Sequence, residues 1–310
     1  MKIVFMGTPE FAVPSLKSLF EKGYEILAVI TQPDKPKGRG EKLCISPIKK
    51  YALENKIKVL QPEKIRTEGF FNELAVLKPD LFVTCAFGRI LTERILGIPP
   101  CGCINVHASL LPKFRGPAPI RWALIRDEMI TGITTMLTDI GMDTGDILLS
   151  KKVVISDDMM YGQLHDIMAE LGAKVLIETI ERIENGTITR TRQDNDESTY
   201  APAITKELAH IDWNQTSQDI FNLYRALDTC PGVYSYYMGK RLKVFGLSIN
   251  SQCIKNKVPG TIIDVSKEGM LVETKNGSIK INELQFDSGK RMTVESYICG
   301  HSIAVGEILN

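Results

Sequence analysis

The chain has 310 residues, of which 44% are hydrophobic and 24% charged, and its formal net charge is only +1. This composition is typical of a soluble globular protein with room for two domains, and it excludes a disordered chain. The near-neutral charge excludes a general attraction to nucleic acid or membranes, so any basic binding surface must be local. No apolar run approaches the roughly 20 residues of a membrane span.

The cysteines indicate a reducing environment. Their number, seven, is odd, and their spacing follows no disulfide framework. We therefore expect a cytoplasmic protein. Cys101 and Cys103 resemble half of a metal site, but no second cysteine pair or spaced histidine cluster accompanies them, so we expect no metal.

The first half of the chain alternates short apolar runs with helical patterns. Strands are predicted at Lys2 to Met6, Glu25 to Thr31 and Leu81 to Cys85. This alternation predicts an α/β domain with a Rossmann-like, doubly wound, mostly parallel sheet. The first strand ends in Gly7-Thr8-Pro9-Glu10-Phe11, which lacks the glycines of a dinucleotide site, so a nicotinamide enzyme is disfavoured.

Two dipeptides predict helix starts. Thr8 before Pro9 and Ser46 before Pro47 each place a capping hydroxyl ahead of a proline at the first helical position. Between them, the segment from Asp34 to Lys50 has six basic and two acidic residues. Its proline and glycines predict an irregular loop with side chains free to reach outward. Charge alone leaves open whether this loop binds phosphates or is only solvated.

Three side chains suit acyl transfer. Asn105 and His107 are two residues apart at the end of an apolar run, so on a strand both leave the same face. Asp143, in Gly-Met-Asp-Thr-Gly-Asp, lies in a loop that could meet them. An amide and an imidazole can stabilise an oxyanion, and a carboxylate can hold the imidazole tautomer and accept protons. Spacing alone leaves a second interpretation open, in which these groups only satisfy local backbone atoms.

The second half changes pattern. A long amphipathic helix is predicted from Tyr161 to Glu184, followed by a polar linker. Beyond it, one helix at Ser217 to Leu227 precedes short alternating runs that predict a small β-barrel. The predicted organisation is a catalytic domain at 1–189, a linker at 190–205 and a smaller C-terminal domain at 206–310.

The string from Asn105 through Ser109-Leu110-Leu111-Pro112 to Gly116, with Asp143 following, resembles the folate-dependent formyltransferases. The resemblance extends over nearly the whole chain and implies an OB-like C-terminal barrel, catalytic roles for Asn105, His107 and Asp143, and 10-formyltetrahydrofolate as co-substrate. It also implies a folate site, with Pro112 expected in a cis bond. The residues of that site are Ser109, Leu110, Leu111, Pro112, Arg89, Ile90 and Leu91.

Within the family, the basic loop and the C-terminal domain resemble the branch that formylates the α-amino group of methionine on initiator tRNA. This resemblance implies tRNA contacts by Arg39, Lys35, Lys37 and Lys42. It implies that initiator methionyl-tRNA and the folate are the partners, with no membrane partner and a monomeric chain.

Four other functions remain in competition. Formyltransferases for glycinamide ribonucleotide or for amino-sugar nucleotides share the three catalytic residues but need neither the basic loop nor the barrel. A hydrolase that releases formate from formyl-folate needs water in place of an amine. The sequence distinguishes it less clearly from the tRNA-directed enzyme. A non-catalytic RNA-binding protein is the fourth, and the presence of all three chemical residues argues against it.

Overall fold

The structure is a computed structural model that describes residues 1–37, 42–228, 230–250, 258–287 and 289–310. These residues divide into two compact units. The first unit comprises residues 1–119, 130–155 and 163–202. The second comprises residues 203–310 together with two short earlier segments, 120–129 and 156–162.

The elements up to residue 184 alternate strands and helices, as the sequence predicts. A 3₁₀ turn at Glu10–Ala12 precedes the first helix. In chain order the elements are β1 (Lys2–Gly7), α1 (Val13–Glu21), β2 (Glu25–Ile30), β3 (Lys35–Lys37), β4 (Lys42–Cys44), α2 (Pro47–Glu54), β5 (Val59–Leu60), α3 (Glu68–Leu77), β6 (Leu81–Cys85), α4 (Glu93–Leu96), β7 (Cys103–His107), α5 (Pro119–Ile125), β8 (Ile130–Leu137), β9 (Ile147–Val154) and α6 (Tyr161–Glu184).

The first unit is built on a mostly parallel sheet. Its order over the described residues is β5-β2-β1-β6-β7-β8-β9. Pairing is parallel from β5 to β7 and antiparallel from β7 to β9, which confirms the predicted fold class. Four apolar residues of β1 are fully buried, and each such side chain contributes roughly 1.5–3 kcal/mol of burial free energy. This core fixes the strand ends that carry the site.

One predicted helix start is confirmed and the other is wrong. The hydroxyl of Ser46 accepts a hydrogen bond from the Lys49 backbone N–H at 3.1 Å, which caps α2. Thr8 caps no helix, because α1 begins only at Val13, after the 3₁₀ turn. The Thr8 hydroxyl instead accepts a bond from the backbone N–H of Gln32 at 3.4 Å, so it ties the segment after β1 to the segment after β2.

The basic segment also differs from its prediction. Lys35 to Lys37 and Lys42 to Cys44 pair as an antiparallel two-stranded ribbon, where an irregular loop was expected. Pro36 is compatible with this ribbon because both of its strands are edge strands, where a missing N–H is tolerated. Residues 38–41, which include Arg39, lie outside the described part of the chain.

The second unit contains the remaining elements, which are mostly antiparallel strands. They are α7 (Ser217–Leu227), β10 (Tyr234–Tyr237), β11 (Lys240–Asn250), β12 (Ile262–Ser266), β13 (Gly269–Glu273), β14 (Ser278–Phe286), β15 (Met292–Thr293) and α8 (Val294–Ile298). The sheet order within the described residues is β10-β11-β14-β13-β12, with β15 on β14.

The last residues of the chain close this sheet. Backbone hydrogen bonds join Glu307 to Ile262 and Leu309 to Gly260 on the β12 side. Asn310 exchanges two backbone hydrogen bonds with Tyr236 of β10. The tail therefore bonds to both edge strands, which confirms the predicted barrel and closes the sheet formed by the described residues.

No helix within the described residues combines the length and apolarity that a membrane span needs.

Candidate active site

Strand β7 presents the first two candidate residues. It lies next to β6 and β8 inside the sheet of the first unit. Asn105 and His107 project from the same face, as their spacing predicts. His107 is only 6% exposed, so most of its ring is withdrawn from bulk water.

Asp143 meets both of these side chains from a separate loop. Its Oδ1 accepts a hydrogen bond from Nδ2 of Asn105 at 3.3 Å and lies 3.6 Å from Nδ1 of His107. Its Oδ2 accepts a bond from the backbone N–H of Gly116 at 2.8 Å. The structure thus brings the three predicted catalytic residues together around one carboxylate.

The loop that carries Asp143 needs a special backbone. Asp143 has φ of 55°, a left-handed conformation that few side chains adopt and that Asp tolerates better than most. At Gly145 an added Cβ would lie 1.8 Å from the carbonyl oxygen of Leu137, so only glycine fits there. These two constraints explain the Asp and the final Gly of the Asp-Thr-Gly segment.

The ring of His107 is oriented by a backbone carbonyl. Its Nε2 lies 2.9 Å from the carbonyl oxygen of Phe114, and because that oxygen can only accept, Nε2 carries a hydrogen. In the neutral ring the lone pair is then on Nδ1, the atom that faces Asp143. Asp143 was expected to hold the tautomer, but the Phe114 carbonyl does so, and Asp143 faces the nitrogen that carries the lone pair.

The amide of Asn105 is oriented from the neighbouring strand. Thr84 on β6 is its cross-strand partner, and the Thr84 hydroxyl donates to Oδ1 of Asn105 at 3.0 Å. With its oxygen held in this way, the amide turns its N–H groups toward Asp143. Thr84 was not among the predicted residues, although its place one residue before the end of a predicted strand was a usable signal.

The predicted folate segment after His107 is a tightly bonded turn. Ser109 is fully buried, and its hydroxyl donates to the carbonyl oxygen of Lys113 at 2.6 Å. The hydroxyl of Thr134 donates to the Ser109 carbonyl oxygen at 2.7 Å and accepts from the Leu111 N–H at 3.2 Å. The Leu111–Pro112 bond is cis, as predicted. Ser109 and Leu111 are therefore buried supports, whereas Leu110 and Pro112 are partly exposed.

The second predicted folate segment follows β6. The side chain of Arg89 donates to the carbonyl oxygens of Pro62 and Glu63 at 3.1 and 2.9 Å. Leu91 is 4% exposed, whereas Ile90 is 50% exposed. Arg89 and Leu91 thus fix the segment in place, and Ile90 is its exposed apolar side chain.

The predicted tRNA residues are only partly described. Lys35 is exposed, and its ammonium group lies 3.4 Å from Oε1 of Gln32. Lys37 and Lys42 are opposite each other in the ribbon, and Arg39 lies between them, outside the described residues. One residue before the ribbon, Asp34 accepts hydrogen bonds from Lys49 and Gln61, and these lower the pKa of its carboxyl below the ordinary value. Lys49 is therefore paired with protein groups.

The structure adds positions that sequence reasoning missed. Besides Thr84, these are the Phe114 carbonyl, the Gly116 N–H and the side chains of Thr134 and Gln193. The backbone groups carry no residue-specific signal, so only the folded chain reveals them. Among the described residues no cluster of three or more His, Cys, Asp or Glu side chains is arranged to hold a metal ion.

This arrangement can support transfer of an acyl group to an amine. Asn105 offers N–H donors to an oxygen that gains negative charge, and such preorganised donors contribute on the order of 3–4 kcal/mol each. Nδ1 of His107 and Oδ1 of Asp143 are adjacent acceptors for a proton that leaves the amine.

Comparison with known proteins agrees with this chemistry. Residues 1–180 match the family model described as formyl transferase, and residues 203–302 match that of the formyl transferase C-terminal domain. The chain is 52% identical over 309 residues to the methionyl-tRNA formyltransferase of Acetivibrio thermocellus, with 100% of this chain and 99% of the relative covered. It is 52% identical over 313 residues to the protein of the same name from Ruminiclostridium cellulolyticum, with the same coverage.

Among solved structures, the N-formyltransferase from Helicobacter canadensis in complex with folinic acid and dTDP-3-aminofucose aligns with a TM-score of 0.68 at 22% identity. That alignment covers 94% of this chain and 100% of the other. At this level of identity the likeness concerns the fold.

Proposed function

Because this chain belongs to the formyl transferase family, we propose that it transfers a formyl group from 10-formyltetrahydrofolate to the α-amino group of methionine on initiator methionyl-tRNA. The product is formylmethionyl-tRNA for translation initiation. The observation that carries the proposal is the contact of one carboxylate, that of Asp143, with both Asn105 and His107. The two relatives at 52% identity, matched over 99% of their length, support the choice of acceptor.

The chain's own groups handle charge and protons. The folate supplies the formyl carbon, to which the amine nitrogen bonds while the bond from that carbon to the folate nitrogen breaks. Asn105 donates to the formyl oxygen as it gains negative charge. His107 takes the proton that the amine loses at Nδ1, and imidazolium is stabilised there by Asp143. That proton finally resides on the folate nitrogen that leaves.

The residues present fit a folate. The segment after β6 combines a half-exposed apolar side chain, Ile90, with backbone that Arg89 and Leu91 hold in place. Fixed backbone groups beside an apolar surface suit a flat ring with hydrogen-bonding edges. We assign this segment and the turn from Ser109 to Pro112 to folate binding, with Ile90, Leu110 and Pro112 as the side chains accessible to it.

The basic ribbon is assigned to the tRNA. Lys35, Lys37, Arg39 and Lys42 concentrate positive charge in a chain whose total is only +1. Such local charge is suited to phosphates, and an arginine can also contact base edges. We further propose that the protein acts as a monomer in the cytoplasm, where its described cysteines, which are free thiols, remain reduced.

The experiment that tests this function is transfer of labelled formyl from 10-formyltetrahydrofolate. Methionine-charged initiator tRNA is compared with glycinamide ribonucleotide, an amino-sugar nucleotide and a reaction without acceptor. Label on the tRNA alone is expected. Label on a small acceptor would contradict the proposed acceptor, and formate released without acceptor would indicate a hydrolase.

Arg39→Ala tests the role of the ribbon separately. We expect KM for the tRNA to rise about tenfold, as for loss of roughly 1–3 kcal/mol in one specific contact, with folate affinity unchanged. Lys50→Ala, which removes the same charge from the first turns of α2, is the matched control. An equal effect of both variants would mean that total charge, and not the arginine, is what matters.

A further inference from the structure

The position of the Asp143 carboxylate depends on two loops. One loop, from Gly141 to Asp146, carries the residue itself in its left-handed conformation. The other supplies the Gly116 N–H that bonds Oδ2 at 2.8 Å. If either loop shifted, the carboxylate would lose its placement against Asn105 and His107.

Gln193 joins these two loops. Its side-chain amide nitrogen, Nε2, donates to the carbonyl oxygens of Asp143 and Gly145 at 2.9 and 2.7 Å. Its Oε1 accepts two bonds from the guanidinium of Arg115, at 3.0 Å from Nε and 2.8 Å from Nη2. Gln193 is 6% exposed, so water does not readily replace these bonds.

Arg115 is the chain neighbour of Gly116, so the bonds between Gln193 and Arg115 also restrain the position of Gly116. Its backbone is fixed by a bond from its N–H to the Thr199 carbonyl oxygen at 2.9 Å and one from the Ala201 N–H to its carbonyl oxygen at 2.7 Å. The Thr199 hydroxyl also accepts from the Phe114 N–H at 2.8 Å. Residues of the predicted linker are therefore bonded to the loop that orients His107.

We propose that Gln193 is a positioning residue for the reaction, which holds Asp143 in place through the backbone of its loop. The inference rests on the proposed function, since it assigns a role relative to the catalytic carboxylate. A primary amide is required because the site needs two N–H donors for two carbonyls and one acceptor for a cation. A glutamate at position 193 would keep the oxygen that accepts from Arg115. Its second oxygen would replace the N–H donors and repel the carbonyl oxygens of Asp143 and Gly145.

The test is a double-mutant cycle between Gln193→Glu and Asp143→Asn, followed by single-turnover rates at saturating folate and tRNA. In the native background we expect Gln193→Glu to lower the rate 10- to 100-fold while KM for both substrates stays within threefold. In the Asp143→Asn background the same change should alter the rate less than twofold. Asn195→Ala is the control. Oδ1 of Asn195 accepts a hydrogen bond from Arg115 at 2.9 Å, so this change removes a partner of Arg115 and leaves the bonds from Gln193 to the Asp143 loop in place.

Three results would overturn the proposal. One is a native-background rate within twofold of the unchanged protein. Another is an equal loss in both backgrounds, which is what a smaller folded fraction would produce. The third is a loss in Asn195→Ala as large as in Gln193→Glu. If the unchanged protein formylates another acceptor, the proposed function fails. The same double-mutant cycle is then run with that acceptor, because the proposed effect of Gln193 on Asp143 does not depend on which amine is formylated.

Discussion

The carbonyl oxygen of Phe114 lies 2.9 Å from Nε2 of His107 and determines which ring nitrogen is available for chemistry. Phe114 itself has φ of 57°, so the carbonyl is directed by an uncommon backbone conformation. With Nε2 occupied, Nδ1 is the basic atom, and it lies on the side of Asp143. In the proposed mechanism, Nδ1 of His107 is therefore the atom that takes the proton from the amine.

This assignment predicts the effect of His107→Gln. The glutamine amide retains an N–H donor for the Phe114 carbonyl, but it has no nitrogen that accepts a proton. We expect kcat to fall by about 10²–10⁴, the usual range for general acid–base catalysis, with folate affinity little changed. The measurement is single-turnover formyl transfer beside a folate titration. A rate within a few-fold of the unchanged protein would remove His107 from the proton path.

Thr84→Val tests the orientation of Asn105. The change removes the hydroxyl that bonds Oδ1 of Asn105 and preserves the shape of the side chain. Without this bond the amide can rotate, and its N–H groups then no longer face Asp143. We therefore expect kcat to fall about tenfold, which is near the lower end of the effects seen for groups that orient ligands.

Thr131→Val is the matched control for that change. Thr131 lies on β8 and is 3% exposed, and its hydroxyl has no hydrogen-bond partner in the part of the chain that the structure describes. We expect kcat to stay unchanged and the unfolding temperature to stay equal or rise, because removing an unsatisfied buried hydroxyl carries no loss of a bond. Equal losses in both variants would mean that exchanging any buried strand hydroxyl for a methyl group lowers kcat, and that the bond to Asn105 has no separate effect.

The buried cysteines predict a pattern of chemical labelling. Burial raises the pKa of Cys85 to about 12 and that of Cys103 to about 11. At pH 8 the reactive thiolate is then only about one part in 10³ to 10⁴ at these positions, and access is closed as well. Iodoacetamide should modify the exposed Cys44, Cys230 and Cys299 in the native protein. Peptide mass mapping measures the order of reaction.

Cys85 and Cys103 should react only after denaturation. Raising the pH to 9 increases the thiolate fraction of both, yet native labelling should remain slow because the side chains stay buried. Rapid native modification of either residue would contradict the burial of β6 and β7, the strands that carry Thr84 and Asn105.

Arg225 predicts a stability effect in the second unit. Its side chain is 2% exposed, and its guanidinium contacts Oδ1 of Asp127 at 2.9 Å. Burial lowers the pKa of Arg225, and the charge of Asp127 acts in the opposite direction. Asp127→Asn weakens a carboxylate contact of this buried cation. It also keeps a residue type that tolerates the φ of 55° at this position.

We expect Asp127→Asn to lower the free energy of unfolding by about 1–3 kcal/mol. Half of the Asp127 side chain is exposed, so water offsets part of the loss and the lower end of that range is favoured. Urea denaturation monitored by tryptophan fluorescence is the measurement, with Glu128→Ala as the control for charge. A change below 0.3 kcal/mol, on the order of the error of such fits, would show that Asp127 contributes nothing.

The sequence by itself determined the fold class and much of the candidate site. Period-two spacing was enough to place Asn105 and His107 on one face of β7, because side chains alternate on any strand. Apolar periodicity gave α6 and α7 with their observed ends, since long amphipathic patterns leave few alternative arrangements. Ser46-Pro47 predicted α2 because a helix cap is a local interaction.

Only the tertiary structure decided what these residues contact. Thr8 has the same local signal as Ser46, yet its hydroxyl bonds the segment after β2, and no local rule contains that partner. The tautomer of His107 is set by a backbone carbonyl, and the place of Asp143 depends on Gln193, fifty residues farther along the chain. Backbone groups are the same at every residue, so their use in the site follows from loop geometry that the folded chain alone defines.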